Sequence, residues 1–421
     1  MLIRLFYRLI LVLISPVLLY GLYRRRPNKP AFGHRWKEHF GITPPLQCRE
    51  VAPIWIHAVS VGESIAAIPL IKILKEQQPN VPIVVTTTTS TGAEQIAKLG
   101  SLVEHRYMPV DFSFAIRSFI NVIRPSHLLI IETELWPNTL IEAHKAGIPI
   151  SVVNARLSEK SRRNYAKLQA LFNTIHPCLT QILCQSLSDA DRFASLGIDV
   201  NKLHVTGSIK FDISISKRII ELGIALRKEI GISRPVWIAA STHQGEDELV
   251  LQAHKELLKT HQDALLILVP RHPERFDSVF QLTQTLGFMT ERRTSSKSLT
   301  KMSQVYLADT MGEMLVLLGA ADVCFMGGSL LGNKVGGHNV LEPAALGIPT
   351  ITGPSYFNFN EITNELLLAH GIWVKHASEL GVALSDLFGH PEVRQKLASG
   401  AMNVVTHNQG ALQRTINYIL D

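Results

Sequence analysis

The sequence predicts an α/β protein: two Rossmann-like lobes facing a central cleft, preceded by an N-terminal membrane-anchor helix. Three observations carry this. Short apolar runs alternate with helical patterns along the chain, and they lack the polar alternation of a half-exposed strand, as strands of a parallel sheet covered on both faces do. At 421 residues there is length for two such lobes, each with its own core. Charge is the third: Arg4, Arg8, Arg24, Arg25, Arg26, Lys29, Arg35 and Lys37 stand against Glu38 alone in the first forty residues, so this segment accounts for the whole formal net charge of +7. The remaining chain is neutral, which argues against a nucleic-acid-binding surface and places a basic collar around one apolar segment.

That segment, Leu9 to Tyr23, is uncharged and short for a full crossing, which takes about 20 residues. Arg24 to Arg26 stand where a signal peptide would carry small residues for cleavage. An anchor is expected, either a short span or an interfacial helix, with its arginines against membrane phospholipids on the cytoplasmic side.

Strands are predicted at 54–58, 83–87, 127–131, 150–154 and 181–184 in the first lobe. The second lobe has them at 236–240, 264–269, 303–308, 322–326 and 350–353. The expected organisation is an anchor at 1–30, a first lobe at 31–212, a linker at 213–235 and a second lobe at 236–405. A C-terminal helix, 406–421, is expected to return to the first lobe. Cys48, Cys178, Cys184 and Cys324 have no CxxC spacing and read as reduced thiols of a cytosolic body.

The most informative stretch runs from Gly327 to Pro354. An apolar strand leads into a flexible glycine loop, Gly332 to Gly337, and then a helix pattern from Val340 to Leu346 that Gly347 and Pro349 stop. Glycines admit a ligand to the backbone, and free N–H groups of a helix start favour a phosphate, so an anion site is expected. Polar clusters also follow seven strands: HAVSVGE at 57–63, TTTTSTG at 86–92, ETELWPN at 132–138, NARLS at 154–158, STHQGED at 241–247, PRHPER at 270–275 and DTMGEM at 309–314. One such cluster is an ordinary helix cap; seven on both sides of one cleft read as an active site. Asp189 and Asp191 match a DxD pattern, but on a helix their side chains diverge, and no metal is expected.

Together with TGSIKFD at 206–212 and GGHNVLEPAALGIP at 336–349, these segments resemble the bacterial 3-deoxy-D-manno-octulosonic acid (Kdo) transferases. The resemblance covers nearly the whole chain. It implies transfer of Kdo from CMP-Kdo to the lipid A precursor with inversion, no metal and no cofactor, at the inner face of the cytoplasmic membrane. In RWKEHFG at 35–41 it makes Glu38 the general base, although Lys37 and His39 replace the glycine and arginine that commonly flank it. On the donor side it implies Arg271, Met311, Gly312, Glu313, Asn339 and Glu342, with Ser208 and Lys210 near the hinge. His57, Ser60, Glu63, Glu132 and Glu134 would line the acceptor site.

Two other classes fit parts of the pattern. A nucleotide-sugar epimerase shares the two lobes and the glycine loop but needs no anchor. A non-catalytic nucleotide-binding membrane protein could dispense with acidic residues at 38, 63, 132 and 134.

Overall fold

Among the described residues every strand pair is parallel, in two sheets of seven strands each. The computed structural model describes residues 2–24, 30–47, 50–295 and 299–420; Arg25, Arg26, Lys29 and Cys48 lie outside them. The chain divides into one unit up to Asp212 plus the segment from Gln409, and a second unit from Ile213 to Asn408. Residues 213–235 thus belong to the second unit, and most of them form the helix Lys217–Ile230, which Ser216 caps.

The first sheet contains β1 (Ile54–His57), β2 (Ile83–Thr87), β3 (Glu104–Tyr107), β4 (His127–Ile131), β5 (Ile150–Ala155), β6 (Gln181–Cys184) and β7 (Leu203–Val205), in the order β3-β2-β1-β4-β5-β6-β7. The second contains β8 (Val236–Thr242), β9 (Leu265–Pro270), β10 (Thr290–Arg292), β11 (Val305–Leu307), β12 (Val323–Met326), β13 (Thr350–Thr352) and β14 (Ile372–Val374), ordered β10-β11-β9-β8-β12-β13-β14. Both sheets reverse direction of growth at one point, between β1 and β4 and between β8 and β12. In such sheets the carboxyl ends of those strands hold the ligand.

The ten predicted strands are present, and four were not predicted: β3, β7, β10 and β14. All four are sheet edges. Their sequences, EHRY, LHV, TER and IWV, are short or polar, because an edge strand is covered less completely and needs no unbroken apolar run. The central strands β1, β2, β5, β9 and β12 are buried at every residue, with Trp55 and Trp237 fully enclosed.

Helices cover both faces of each sheet. The C-terminal helix Ala411–Leu420 buries Ala411, Leu412, Ile416 and Ile419 against Leu70 and Leu74 of the first unit. Asp212 caps it, accepting the N–H groups of Gly410 at 2.6 Å and Leu412 at 2.5 Å. At the other end of the chain the helix Leu2–Tyr23 is long and apolar enough to cross a membrane, with mean hydropathy 2.0, and points to membrane association.

One backbone device recurs in both units. β5 slips register between Val152 and Ala155, and β8 between Ala240 and Thr242. The displaced residues are Asn154 (φ 56°) and Ser241 (φ 58°), left-handed conformations that disfavour a side chain. Glu132, directly after β4, has φ 61°. Left-handed residues at these strand ends re-aim the chain as it leaves the sheet.

Candidate functional site

In the first unit the ends of β1, β4 and β5 gather the expected acceptor-side residues. Ser60 caps the helix Val61–Gln77, accepting the Glu63 N–H at 3.2 Å and donating its hydroxyl to Glu63 Oε1 at 2.7 Å. The Val59 N–H donates to the other Glu63 oxygen at 2.7 Å. Ser60 is therefore a helix cap. Burial raises the Glu63 carboxyl to about 7 despite those bonds, with Glu134 and Glu132 adding repulsion.

His57 is fully buried and held neutral, its pKa lowered to about 4 by burial. Its Nδ1 lies 3.0 Å from the Thr86 hydroxyl, its ring meets Trp136 edge to face, and its Nε2 has no partner. Glu134 accepts the Trp136 indole N–H at 2.9 Å, while Lys210 Nζ sits 2.8 Å from Glu132 Oε1. Asn154 Oδ1 accepts the Ile209 N–H at 3.1 Å, fixing the Ser208–Lys210 turn beside that ion pair. The buried Asn154 Nδ2 and Thr206 Oγ1 lack partners as well. Unsatisfied buried polar atoms are rare, and several together at strand ends mark a place for a polar ligand.

Glu38 lies in a 3₁₀ segment, Gly33–Phe40, and is 2% exposed. Arg35 grips both its oxygens, Nε to Oε1 at 2.6 Å and Nη2 to Oε2 at 3.0 Å, and the Tyr107 N–H donates to Oε2 at 2.7 Å. The guanidinium also donates to the His105 carbonyl at 3.0 Å and rests 4.6 Å from the Tyr107 ring centroid. His105 is held neutral, lowered to about 3 by burial and then by Arg35 and Arg106. Such a fork fixes the orientation of the Glu38 carboxylate. Arg35, His105 and Tyr107 were not singled out from sequence; β3, which carries two of them, is one of the unpredicted edges.

The second unit departs from expectation at its glycine loop. Glu246, buried completely, accepts the N–H groups of Gly328 at 2.7 Å, Ser329 at 2.9 Å, Leu330 at 2.9 Å and His243 at 3.0 Å. The amides that begin the loop thus hold an internal carboxylate, not a phosphate. Gly328 is required there: its φ is 70°, and a Cβ would come within 2.8 Å of the His338 ring. The loop expected to be flexible is fastened, with Gly337 N–H to Gly328 O at 2.8 Å and Asn358 Nδ2 to Val335 O at 2.6 Å. Leu341–Ala345 is a single short helix whose first N–H, on Leu341, is capped by Asn339 Oδ1 at 3.1 Å.

Side chains remain for a ligand. Asn339 donates to Glu342 at 3.3 Å, and burial raises the Glu342 carboxyl. His338 and His243 stack with Nε2 atoms 2.8 Å apart, a contact that requires at least one neutral ring, and His338 is lowered to about 4, chiefly by burial. Arg271, after β9, is exposed. Met311 is 57% exposed beside Gly312 (φ 85°). Glu313 is taken by Arg293 in a two-pronged pair at 2.8 and 2.7 Å and borders a cavity of about 390 Å³ with Arg292, Tyr306 and Thr310.

Among the described residues no group of His, Cys, Asp and Glu is arranged to hold a metal. Ser186 caps the helix Leu187–Ser195, accepting the Asp189 N–H at 3.2 Å and donating to Asp189 Oδ2 at 2.6 Å, while Asp189 Oδ1 accepts the Leu157 N–H at 2.9 Å. Cys178, Cys184 and Cys324 are buried free thiols.

Residues 34–213, the segment that carries Glu38, Glu63, Glu132 and Lys210, match the family described as 3-deoxy-D-manno-octulosonic-acid transferase (kdotransferase). The 3-deoxy-D-manno-octulosonic acid transferase of Haemophilus influenzae is 38% identical over 419 residues, 99% of this chain and 98% of the relative. The chain belongs to the Kdo transferases. The Bordetella pertussis transferase is 34% identical over 385 residues, covering 88% and 87% of the two chains. The fold of this Kdo transferase is shared more widely. A UDP-GlcNAc 2-epimerase from Neisseria meningitidis aligns at TM-score 0.52 over 87% of this chain and 99% of its own, at 14% identity. Likeness at that identity establishes two Rossmann-like units of GT-B type and nothing about chemistry.

Proposed function

We propose that this Kdo transferase moves Kdo from CMP-Kdo to the glucosamine disaccharide of the lipid A precursor by a single displacement with inversion, at the cytoplasmic face of the inner membrane. Similarity to Kdo transferases along 99% of the chain is the observation that carries the reading. An acceptor hydroxyl oxygen bonds to the anomeric carbon of Kdo as the bond from that carbon to the phosphate oxygen breaks. The hydroxyl proton passes to Glu38, and CMP departs with the electron pair. Glu38 suits the role of base because Arg35 and the Tyr107 amide hold its carboxylate in one orientation.

On the donor side Arg271, exposed after β9, is assigned to the CMP phosphate, with Met311, Gly312 and Glu313 at the base and Asn339 and Glu342 on the ribose hydroxyls. Glu246 takes the amides of Gly328 to Leu330, ahead of the helix Leu341–Ala345, so the anion binding falls to Arg271 together with that helix start. Ser208 and Lys210, the latter paired with Glu132, keep their assignment to the donor, while His57, Ser60, Glu63, Glu132 and Glu134 are assigned to the acceptor sugar.

Glu38→Gln should lower kcat about a hundredfold or more with CMP affinity unchanged, measured with CMP-Kdo and lipid A precursor and product mass spectrometry. An active Glu38→Gln enzyme would overturn the assignment. A second reading makes Glu63 the base, since its carboxyl near 7 is better matched to neutral pH. Loss of activity in Glu63→Gln with retention in Glu38→Gln would select it.

A further inference from the structure

The N-terminal helix Leu2–Tyr23 carries two opposed stripes over its length. Arg4, Tyr7, Leu11, Ser15, Leu19, Leu22 and Tyr23 are half-buried, at helical spacing along one side. Opposite them Leu5 (65%), Leu9, Leu13 (69%), Val17 and Tyr20 (68%) are exposed.

Both ends of the half-buried stripe are bonded to the first unit. At the N-terminal end the Tyr7 hydroxyl donates to Asp111 Oδ2 at 2.9 Å, on a buried carboxylate that also accepts the N–H groups of Asn138 at 2.9 Å and Thr139 at 2.7 Å. Arg4 reaches the buried Glu142 at 3.3 Å, and Arg8 donates to Ser113 at 2.8 Å. At the C-terminal end the Tyr23 hydroxyl lies 2.8 Å from His39 Nδ1, and Leu22 and Tyr23 pack on Phe32, Ala93 and Tyr107.

These tethers are nineteen residues apart, about 28 Å along a helix, close to the thickness of a hydrocarbon core of about 30 Å. A helix crossing the bilayer would put the two tethers, and the parts of one folded unit that hold them, on opposite sides of the membrane. That arrangement requires breaking one set. Breaking the first strips Tyr7 from buried Asp111 and both arginines from buried Glu142, then draws Arg4 and Arg8 through hydrocarbon.

We propose that this helix does not span but lies flat in the headgroup–acyl boundary of a bilayer containing anionic lipid. Its exposed stripe enters the acyl layer, and the first unit is held against its other side. Exposed aromatic groups flank both tethers: Phe114 (58%) follows Ser113, and Trp36 (45%) carries the carbonyl that accepts from Tyr23 at 3.3 Å. Such rings favour the interface. Exposed Arg24 begins a cationic run in the sequence, continued by Arg25, Arg26 and Lys29, that suits anionic headgroups. Because Leu22 and Tyr23 pack on Phe32 and Tyr107, the lipid-bound helix adjoins the segment carrying Glu38. The proposal rests on membrane association and is independent of the Glu38 chemistry.

The test uses the full chain with Cys48→Ser and single spin-labelled cysteines replacing Leu5, Leu13 or Tyr20. The protein is bound to vesicles of phosphatidylethanolamine and phosphatidylglycerol, and label depth is read by paramagnetic resonance. A flat helix gives one shallow depth for all three, about 5–10 Å into the boundary, with position 5 reached by reagents from the protein's own side. A label at 13 near the midplane, with position 5 reached only from the far side, would overturn the flat orientation while leaving membrane binding intact. Failure of the chain to float with the vesicles would overturn membrane binding itself. A lipid-free dimer that shields all three labels would assign the stripe to a second copy and overturn lipid as its occupant.

Discussion

The two sheets use the same construction at their reversal points and fill them differently. In the first unit the ends of β1 and β5 leave His57 Nε2 and Asn154 Nδ2 buried without partners, as Thr206 Oγ1 is after β7, and Glu63 is raised to about 7. In the second, the N–H groups of Gly328, Ser329 and Leu330 after β12 and of His243 after β8 are bonded to Glu246, four on one carboxylate. A glycine loop after a strand is therefore not by itself an open anion cradle. The protein can supply its own anion and use the loop to fix neighbouring side chains, here His338, Asn339 and Glu342. The first unit keeps its polar groups unsatisfied, as a site that must bind does.

The largest expected effect tests the filled side. Glu246→Ala leaves four buried N–H groups without an acceptor and should lower stability by about 3–5 kcal/mol, read by urea unfolding. Glu246→Gln should be nearly as damaging, because an amide nitrogen would face one pair of those donors. Unchanged midpoints for both would erase the contrast between the units.

A smaller effect tests the unsatisfied side. The Glu63 carboxyl is raised in the folded state, so its stabilising contribution is complete below its ordinary range and lost as pH rises through about 7. Between pH 5 and 8 the wild type should lose about 2 kcal/mol that Glu63→Gln retains. Parallel stability profiles for the two proteins would show that Glu63 titrates normally and that this site is not held in tension.

The smallest effect concerns the shared bulge. Ser241→Gly removes the left-handed penalty at φ 58° and should raise stability by up to about 1 kcal/mol without altering CMP affinity by calorimetry. A loss of CMP affinity would instead show that the strained residue handles the ligand, bringing the second unit closer to the first.

The ten covered strands were readable because a strand buried on both faces must be apolar throughout; IVVTT and LLILVP admit little else. The edges were not, since EHRY and TER look like any polar loop until a neighbour pairs with them. The same limit hid the surroundings of Glu38. Its residue type and position were readable in RWKEHFG, but Arg35 stands three residues before it on a 3₁₀ turn, and Tyr107 comes from an edge strand sixty-nine residues later.

Glu246 sits in a polar cluster that the sequence does mark, yet nothing local distinguishes it from Asp247 or Glu248. Its role follows from Gly328 to Leu330, more than eighty residues away. The sequence by itself determined the class of fold, the apolar anchor with its basic flank, and the polar clusters at strand ends. All of these follow from periodicity and composition, which are local properties. Tertiary structure alone decided which anion fills the glycine loop, which acid is neutral near pH 7, and that both ends of the anchor helix are tied to one unit. Each of those depends on burial and on partners distant in the chain, and burial is what sets the energy of a charge.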